Sequence, residues 1–430
     1  MKRILFLMVL FCMGILSGFA QDDNFSYTDG NGMTWGGYVG YDFDTQKIEV
    51  GINTTSCNSE EVVVIPDEIT YAGEKFKVTK LGSVFSENKI IEKVTIPNTV
   101  TRLNYTFKGC SALSEVVNTS QLKTVNNAFH NCSSLKSIDL SSCEMLGSGS
   151  FGGCTQLENV VLKVCKRIES GAFCDYGGSN NCPKLKSVGD ISHCESIGEY
   201  AFQGCCSLTS VDLSSCKTLK SNAFNGCSAL ERVELPNLKS WDNSVFENCK
   251  KLISVTFPET IDNIPALAFC NCENLSTIDL SHCSIIGGGA FYNCTSLTDL
   301  KLLNVKQTEW TTYFDYESWK SCKVGSFMNC NNLTSVDLGS IQKLGDRAFY
   351  GCTSLKKITL PSTITNLGWE CFDGVTIVTS MATVPPVINK PEDETSSIPM
   401  GEFLVNVPEA SLFRGISGTA YQLKKQFSLR

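Results

Sequence analysis

Apolar and polar positions follow one recurring pattern from residue 85 to residue 372: a small residue, Phe, two variable residues, Cys, two more, then Leu-x-x-Val-x-Leu. Ala223-Phe224-Asn225-Gly226-Cys227, followed by Leu230-Glu231-Arg232-Val233-Glu234-Leu235, carries it whole. The phenylalanine column runs Phe85, Phe107, Phe129, Phe151, Phe173, Phe202, Phe224, Phe246, Phe269, Phe291, Phe327, Phe349, Phe372. Neighbours are 22 residues apart almost throughout and 23 apart twice, with longer gaps of 29 before Phe202 and 36 before Phe327. Self-similarity at such a period marks a stack of small repeated units. The alternation in the second half predicts a short strand, because successive side chains of a strand point to opposite faces. Val211 and Leu213 then face inward while Ser210, Asp212 and Ser214 face solvent. The return half is too short for a full helix, so a short helical turn or an irregular segment is expected to carry each Phe into the core. One unit cannot bury its apolar side alone, and stability must come from the units before and after it.

The strand half fits the leucine-rich pattern L-x-x-L-x-L-x-x-N/C, filled by Leu208, Val211, Leu213 and Cys216, by Leu135, Ile138, Leu140 and Cys143, and by Leu275, Ile278, Leu280 and Cys283. The expected fold is an α/β-type leucine-rich repeat solenoid of about thirteen repeats, with one long parallel sheet on its concave face. Residues 85–372 form the solenoid. Residues 21–84 lack the Phe-Cys motif but alternate in strand fashion, as in Lys47-Ile48-Glu49-Val50, and read as an N-terminal cap. Residues 373–430, with Pro385-Pro386 and Leu404-Val405-Asn406-Val407-Pro408, read as the closing cap. The repeat resembles that of the BspA-like family of bacterial cell-surface leucine-rich repeat proteins, whose signature is A-F-x-x-C-x-x-L-x-x-V-x-L-P. Pro97, Pro236, Pro258 and Pro361 stand at its proline position, and the resemblance extends to the cap strings VVIPDEI and VPEAS. It implies a right-handed solenoid, a surface or secreted location, and adhesion or protein binding, with no shared catalytic residues.

Met1, Lys2 and Arg3 precede an apolar run from Ile4 to Leu16 and then Ser17-Gly18-Phe19-Ala20. A charged start, a short apolar stretch and small residues before a cut after Ala20 read as a cleavable secretory signal spanning residues 1–20. Cys12 lies inside the apolar run behind bulky Phe11, which argues against a lipidation site. No later run is apolar for long enough to span a bilayer. The formal charge is −8, and no Lys/Arg stripe is present to meet a phosphate backbone, so nucleic acid is not an expected partner.

Of the 23 cysteines, one column (Cys110, Cys132, Cys154, Cys205, Cys227, Cys249, Cys272, Cys294, Cys330, Cys352) falls three residues after Phe. A second (Cys143, Cys165, Cys194, Cys216, Cys283) falls three after the last apolar strand residue. Both read as small buried hydrophobes. Stacked cysteines would have parallel rather than converging Cβ vectors, so the columns need no bridges. Cys174 with Cys182, bracketing an inserted Asp175–Asn181, is the better disulfide candidate for an exported chain. The three histidines, His130, His193 and His282, sit in separate repeats. No converging metal set or nucleophile–base pair emerges. No cofactor is implied, and the chain reads as non-catalytic.

Two surfaces are candidates for binding. The solvent side of the strands carries Asp139, Asp212, Glu234, Asp279 and Asp337, which read either as solvated surface or as an acidic strip for a basic partner or a divalent cation. The insertion 306–326 carries Trp310, Tyr313, Tyr316 and Trp319. Such rings suit an interface anchor or a platform for sugar faces, or they fold back to cover the solenoid. The expected function is a secreted or surface-exposed, adhesin-like binder of an extracellular protein; the alternative is a glycan-binding protein using the insertion.

Overall fold

The computed structural model describes residues 23–42, 47–56, 59–175, 181–315, 320–384, 386–388 and 404–406. The expected signal segment, Tyr316, Trp319 and most of residues 389–430 lie outside them. The chain divides into two compact units, Met1–Cys205 and Cys206–Arg430. Both are built from the same turn.

In the first unit, strands Asp23–Thr28, Thr34–Asp42 and Lys47–Thr55 pair antiparallel in that order, and the third runs parallel to Glu74–Leu81. Trp35 is fully buried there, with its ring 6.4 Å from Phe85 and edge-on to it. From Phe85 onward the rings of Phe107, Phe129, Phe151, Phe173 and Phe202 follow face to face, with centroids 4.9–5.6 Å apart. The second unit repeats this from Phe224 through Phe246, Phe269, Phe291, Phe327 and Phe349 to Phe372, at 5.1–6.3 Å. Each fully buried ring contributes roughly 1.5–3 kcal/mol by leaving water, and each stacked pair about 0.5–1.5 kcal/mol more, so burial dominates and stacking sets the register.

The turn carries two parallel ladders where one long sheet was expected. The first is the Leu-x-x-Val-x-Leu ladder, as in Ser137–Asp139, Asn159–Leu162 and Ser187–Gly189, or Arg232–Glu234, Ser254–Thr256 and Thr277–Ile278. It breaks into short sheets. The second joins Arg102–Asn104, Thr124–Asn126, Met145–Leu146, Arg167–Ile168 and Ser196–Ile197 in the first unit. In the second unit it joins Asn263–Ile264, Ile285–Ile286, Gln307–Thr308, Lys343–Leu344, Asn366–Leu367 and Val387–Ile388.

The return segments contain no α-helix among the described residues, so of the two expected forms the helical turn is corrected and the irregular segment is the one found. The cause lies two residues either side of most of these Phe residues. Asn131, Gly153, Gly226, Asn248, Asn271 and Gly351 after it, and Asn127, Gly149, Asn222, Ser244 and Leu267 before it, all have φ between +47° and +77°. A helix needs consecutive right-handed residues, and a left-handed residue on each flank prevents one. The backbone bonds instead to the next turn: Phe129 N–H donates to Ser150 O (3.0 Å), Asn131 N–H to Gly152 O (2.7 Å) and Phe269 N–H to Ala290 O (2.8 Å). Asn and Gly tolerate this conformation at least cost, which accounts for their dominance two residues after Phe.

The cysteine columns fill the corners. Cys132 Sγ donates to Phe107 O (3.1 Å), Cys154 to Phe129 O (3.0 Å), Cys272 to Phe246 O (3.1 Å) and Cys352 to Phe327 O (3.2 Å), each reaching the preceding turn. Burial pushes the thiols of Cys110, Cys143 and Cys283 up to about 12 and that of Cys216 to about 11. They are neutral donors at physiological pH, and a neutral thiol is a poor nucleophile and metal ligand.

Candidate functional site

On the solvent side of the first ladder, Asp139, Asp212, Glu234, Asp279 and Asp337 are all exposed. The four aspartates share a local task. The Asp139, Asp212 and Asp279 carboxylates each accept the N–H two residues on, from Ser141, Ser214 and Ser281, at 2.9 Å, and Asp337 accepts that of Gly339 at 3.0 Å. Asp-x-Ser turns of this kind close the strand end. The backbone N–H of Ser281, then its hydroxyl, hold the Asp279 carboxyl below the usual carboxylate range. Register places Val161 beside Asp139, Thr256 beside Glu234 and Lys301 beside Asp337. At those three positions the neighbouring turn supplies an apolar, a hydroxyl and a basic side chain.

The aromatic insertion is a β-hairpin. Trp310–Asp315 pairs antiparallel with Lys320–Gly325, in register from Trp310 opposite Gly325 to Asp315 opposite Lys320. One face turns to the solenoid. Val324 is fully buried, and the Tyr313 ring lies 5.5 Å from that of Tyr292. The Tyr313 hydroxyl accepts Asn271 Nδ2 at 3.3 Å. Asn271 belongs to a ladder of side-chain amides: Asn248 Nδ2 donates to Asn225 Oδ1 (3.2 Å), Asn271 to Asn248 (2.9 Å) and Asn293 to Asn271 (3.2 Å). Beside that ladder lies the buried carboxyl of Glu247, which burial pushes up against the opposing hydrogen bonds of Ser244 and Asn248.

The other face of the hairpin points outward, with Trp310 43% and Phe314 36% exposed. Lys323 Nζ sits 4.8 Å above the Trp310 ring centroid, a cation–π contact that fixes the ring's orientation. The four aromatics of the insertion therefore divide. Trp310 is presented and Tyr313 is tucked in, while Tyr316 and Trp319 lie outside the described residues.

Where the hairpin leaves the solenoid, a cleft of about 410 Å³ opens, lined by Gln307, Glu309, Trp310, Lys343, Asp346 and Asn366 together with Gly345 and Gly368. The neighbouring turn must approach closely here: a Cβ on Gly288 would lie 2.1 Å from the carbonyl carbon of Trp310, and one on Gly368 2.2 Å from the backbone of Gly345 and Asp346. Sequence reasoning missed this cleft, because its residues come from three turns of a ladder only two residues wide per turn. The Gly345 and Gly368 column was the available signal.

Cys174 and Cys182 are both buried. Cys174 Sγ donates to Asp175 O (3.3 Å) and Cys182 Sγ to Phe151 O (3.0 Å). Among the described residues, no three His, Cys, Asp or Glu side chains converge as a metal would require, and no helix is long and apolar enough to cross a membrane.

A family profile described as BspA type Leucine rich repeat region (6 copies) matches the chain over three segments, residues 79–205, 195–324 and 320–393. Among solved structures, the chain is similar to a leucine-rich repeat protein from Bacteroides ovatus (24% identity, 76% of this chain and 94% of that one, TM-score 0.41). It is also similar to a leucine rich cell surface protein from Faecalibacterium prausnitzii (19%, 86% and 96%, 0.39) and to the pneumococcal vaccine antigen PcpA (16%, 90% and 94%, 0.49). No curated protein matches it in sequence.

Proposed function

The chain belongs to the BspA type leucine-rich repeat family, and from that membership we propose that it is an exported, surface-exposed, non-catalytic binding protein whose partner is an extracellular protein. One observation carries this reading. Along the first ladder most strands bury their inner residue, such as Ile138, Val233 or Leu300, and expose the next, such as Asp139, Glu234 or Lys301. The exposed residues differ in chemistry from turn to turn while the inner ones stay aliphatic, the arrangement by which repeat proteins present a rigid surface with variable chemistry. The neutral, buried thiols and the separated histidines support a role without covalent chemistry. The test is binding of the purified chain lacking residues 1–20 to a panel of immobilised extracellular host proteins. Saturable binding to at least one, reduced by Glu234→Lys and Lys301→Glu together, is the expected result. Its absence across the panel counts against a protein partner.

A second reading is favoured by Trp310, which stands exposed at a cleft whose lining also carries carboxylate, amide and amine groups. Apolar ring plus fixed hydrogen-bonding groups is the composition of a small-ligand site, and it supports a glycan ligand bound by the insertion.

A further inference from the structure

We propose that the cleft between the hairpin base and the second ladder is a binding site for a neutral oligosaccharide, with Trp310 as its stacking platform and Glu309, Asp346 and Asn366 as its hydrogen-bonding groups. This rests on the glycan reading above and assigns it a place and a ligand class.

The charge of the site selects a neutral ligand. The lining carries the two carboxylates of Glu309 and Asp346 and the ammonium of Lys343, and a second ammonium, that of Lys323, stands outside the lining over the Trp310 ring. Two negative and two positive groups leave no excess of either sign to attract an anion or a cation. What remains is a surface dense in donors and acceptors around one apolar ring, which matches a molecule whose hydroxyls surround apolar C–H faces.

The polar groups are held before any ligand arrives. Asp346 Oδ1 accepts the N–H of Trp369 at 2.8 Å, Glu309 Oε1 accepts Gln307 Nε2 at 3.2 Å, and Asn366 Oδ1 accepts the Thr365 hydroxyl at 2.9 Å. Groups fixed in this way lose little side-chain freedom on binding, which is the usual cost of polar recognition on a surface. Trp310 is fixed at both ends, its backbone paired with Gly325 and its ring under Lys323.

The spacing favours a chain over a single sugar. Gln307, Lys343 and Asn366 stand in register on three successive turns, about 4.8 Å from one to the next. A row of polar side chains at a constant interval fits a ligand whose hydroxyls also recur along a chain.

The experiment uses the chain lacking residues 1–20 and isothermal titration with four neutral hexasaccharides of glucose, xylose, mannose and N-acetylglucosamine, with heparin as the anionic control. Saturable binding of at least one hexasaccharide and not of heparin is expected. Trp310→Ala should weaken it by at least about tenfold, the loss of roughly 1.4 kcal/mol. Asp346→Asn, which keeps an oxygen for the Trp369 N–H, and Glu309→Gln should each weaken it by about tenfold. Unchanged thermal unfolding of the two conservative variants separates lost binding from lost folding. Hexasaccharide binding that survives all three substitutions overturns the cleft assignment while the glycan reading stands. Binding of heparin alone, or of none of the five, overturns both.

Discussion

The ring of Phe327 lies 5.1 Å from that of Phe291 and 2° from parallel to it, although 36 residues separate the two where 22 is the rule. The insertion therefore leaves the stack between two turns and returns without displacing the core. Trp310 and Gly325, paired across the base of the hairpin, are where it departs and rejoins. Removing residues 311–324 restores a spacing of 22 and leaves Trp310 next to Gly325. The shortened chain should fold, with cooperative thermal unfolding and an unchanged far-ultraviolet circular dichroism shape; loss of the cooperative transition would show that the hairpin is part of the core.

Glu247 gives a pH-dependent prediction. Burial raises its carboxyl above the ordinary value of 4.5, so the folded state holds its proton more tightly than the unfolded state. Its contribution is fully present below pH 4.5 and is lost as pH rises through the folded value. Glu247→Gln, neutral at every pH, should be more stable than the parent at pH 7, with the difference disappearing below pH 4.5. Urea titrations at both pH values check this, and a variant destabilised equally at both contradicts it.

The thiol columns should be chemically quiet. With Cys110, Cys143 and Cys283 raised to about 12 by burial, alkylation of the native chain at pH 8 should label the exposed Cys206 first and leave those three unlabelled until denaturant is added. Peptide mass mapping reads the order, and early labelling of the columns would contradict it. The same map tests the Cys174–Cys182 cross-link expected from the sequence against the two thiol donors of the structure; a cross-link requires those two peptides to be joined before reduction and to separate after it.

The left-handed residues beside each Phe should be costly to alter. Gly226 has φ +75°, and Gly226→Ala should destabilise the chain by about 1–2 kcal/mol, whereas Asn248→Gly, at φ +60°, should cost less because only its amide contacts are lost. Chemical denaturation of the pair decides, and equal effects would mean that backbone strain is not what selects these residues.

Much of this was legible in the sequence, for reasons tied to particular residues. Phe and Leu-x-x-Val-x-Leu recur at a fixed period, and the fully buried rings from Phe85 to Phe327 bear that reading out. The return segment stayed open between a helical turn and an irregular path because the pattern gives its length but not its φ angles; the Asn and Gly two residues after Phe carried that information. The second ladder escaped notice because Met145–Leu146 or Lys343–Leu344 is too short for alternation to register. For the same reason the cleft at Glu309, Asp346 and Asn366 was invisible. Trp310 was picked out by residue type, yet only the hairpin register reveals that it faces outward while Tyr313 faces in.

The most direct test of the stacked-turn account is a double-mutant cycle between Phe291 and Phe327, each changed to Leu, with stabilities measured by urea unfolding. Rings in contact across one turn predict a coupling energy of about 0.5–1.5 kcal/mol, against near-additivity for Phe246 with Phe327, which are not consecutive in the stack. Additive effects for Phe291 and Phe327, within roughly 0.3 kcal/mol, would contradict the stacking of successive turns on which the rest depends.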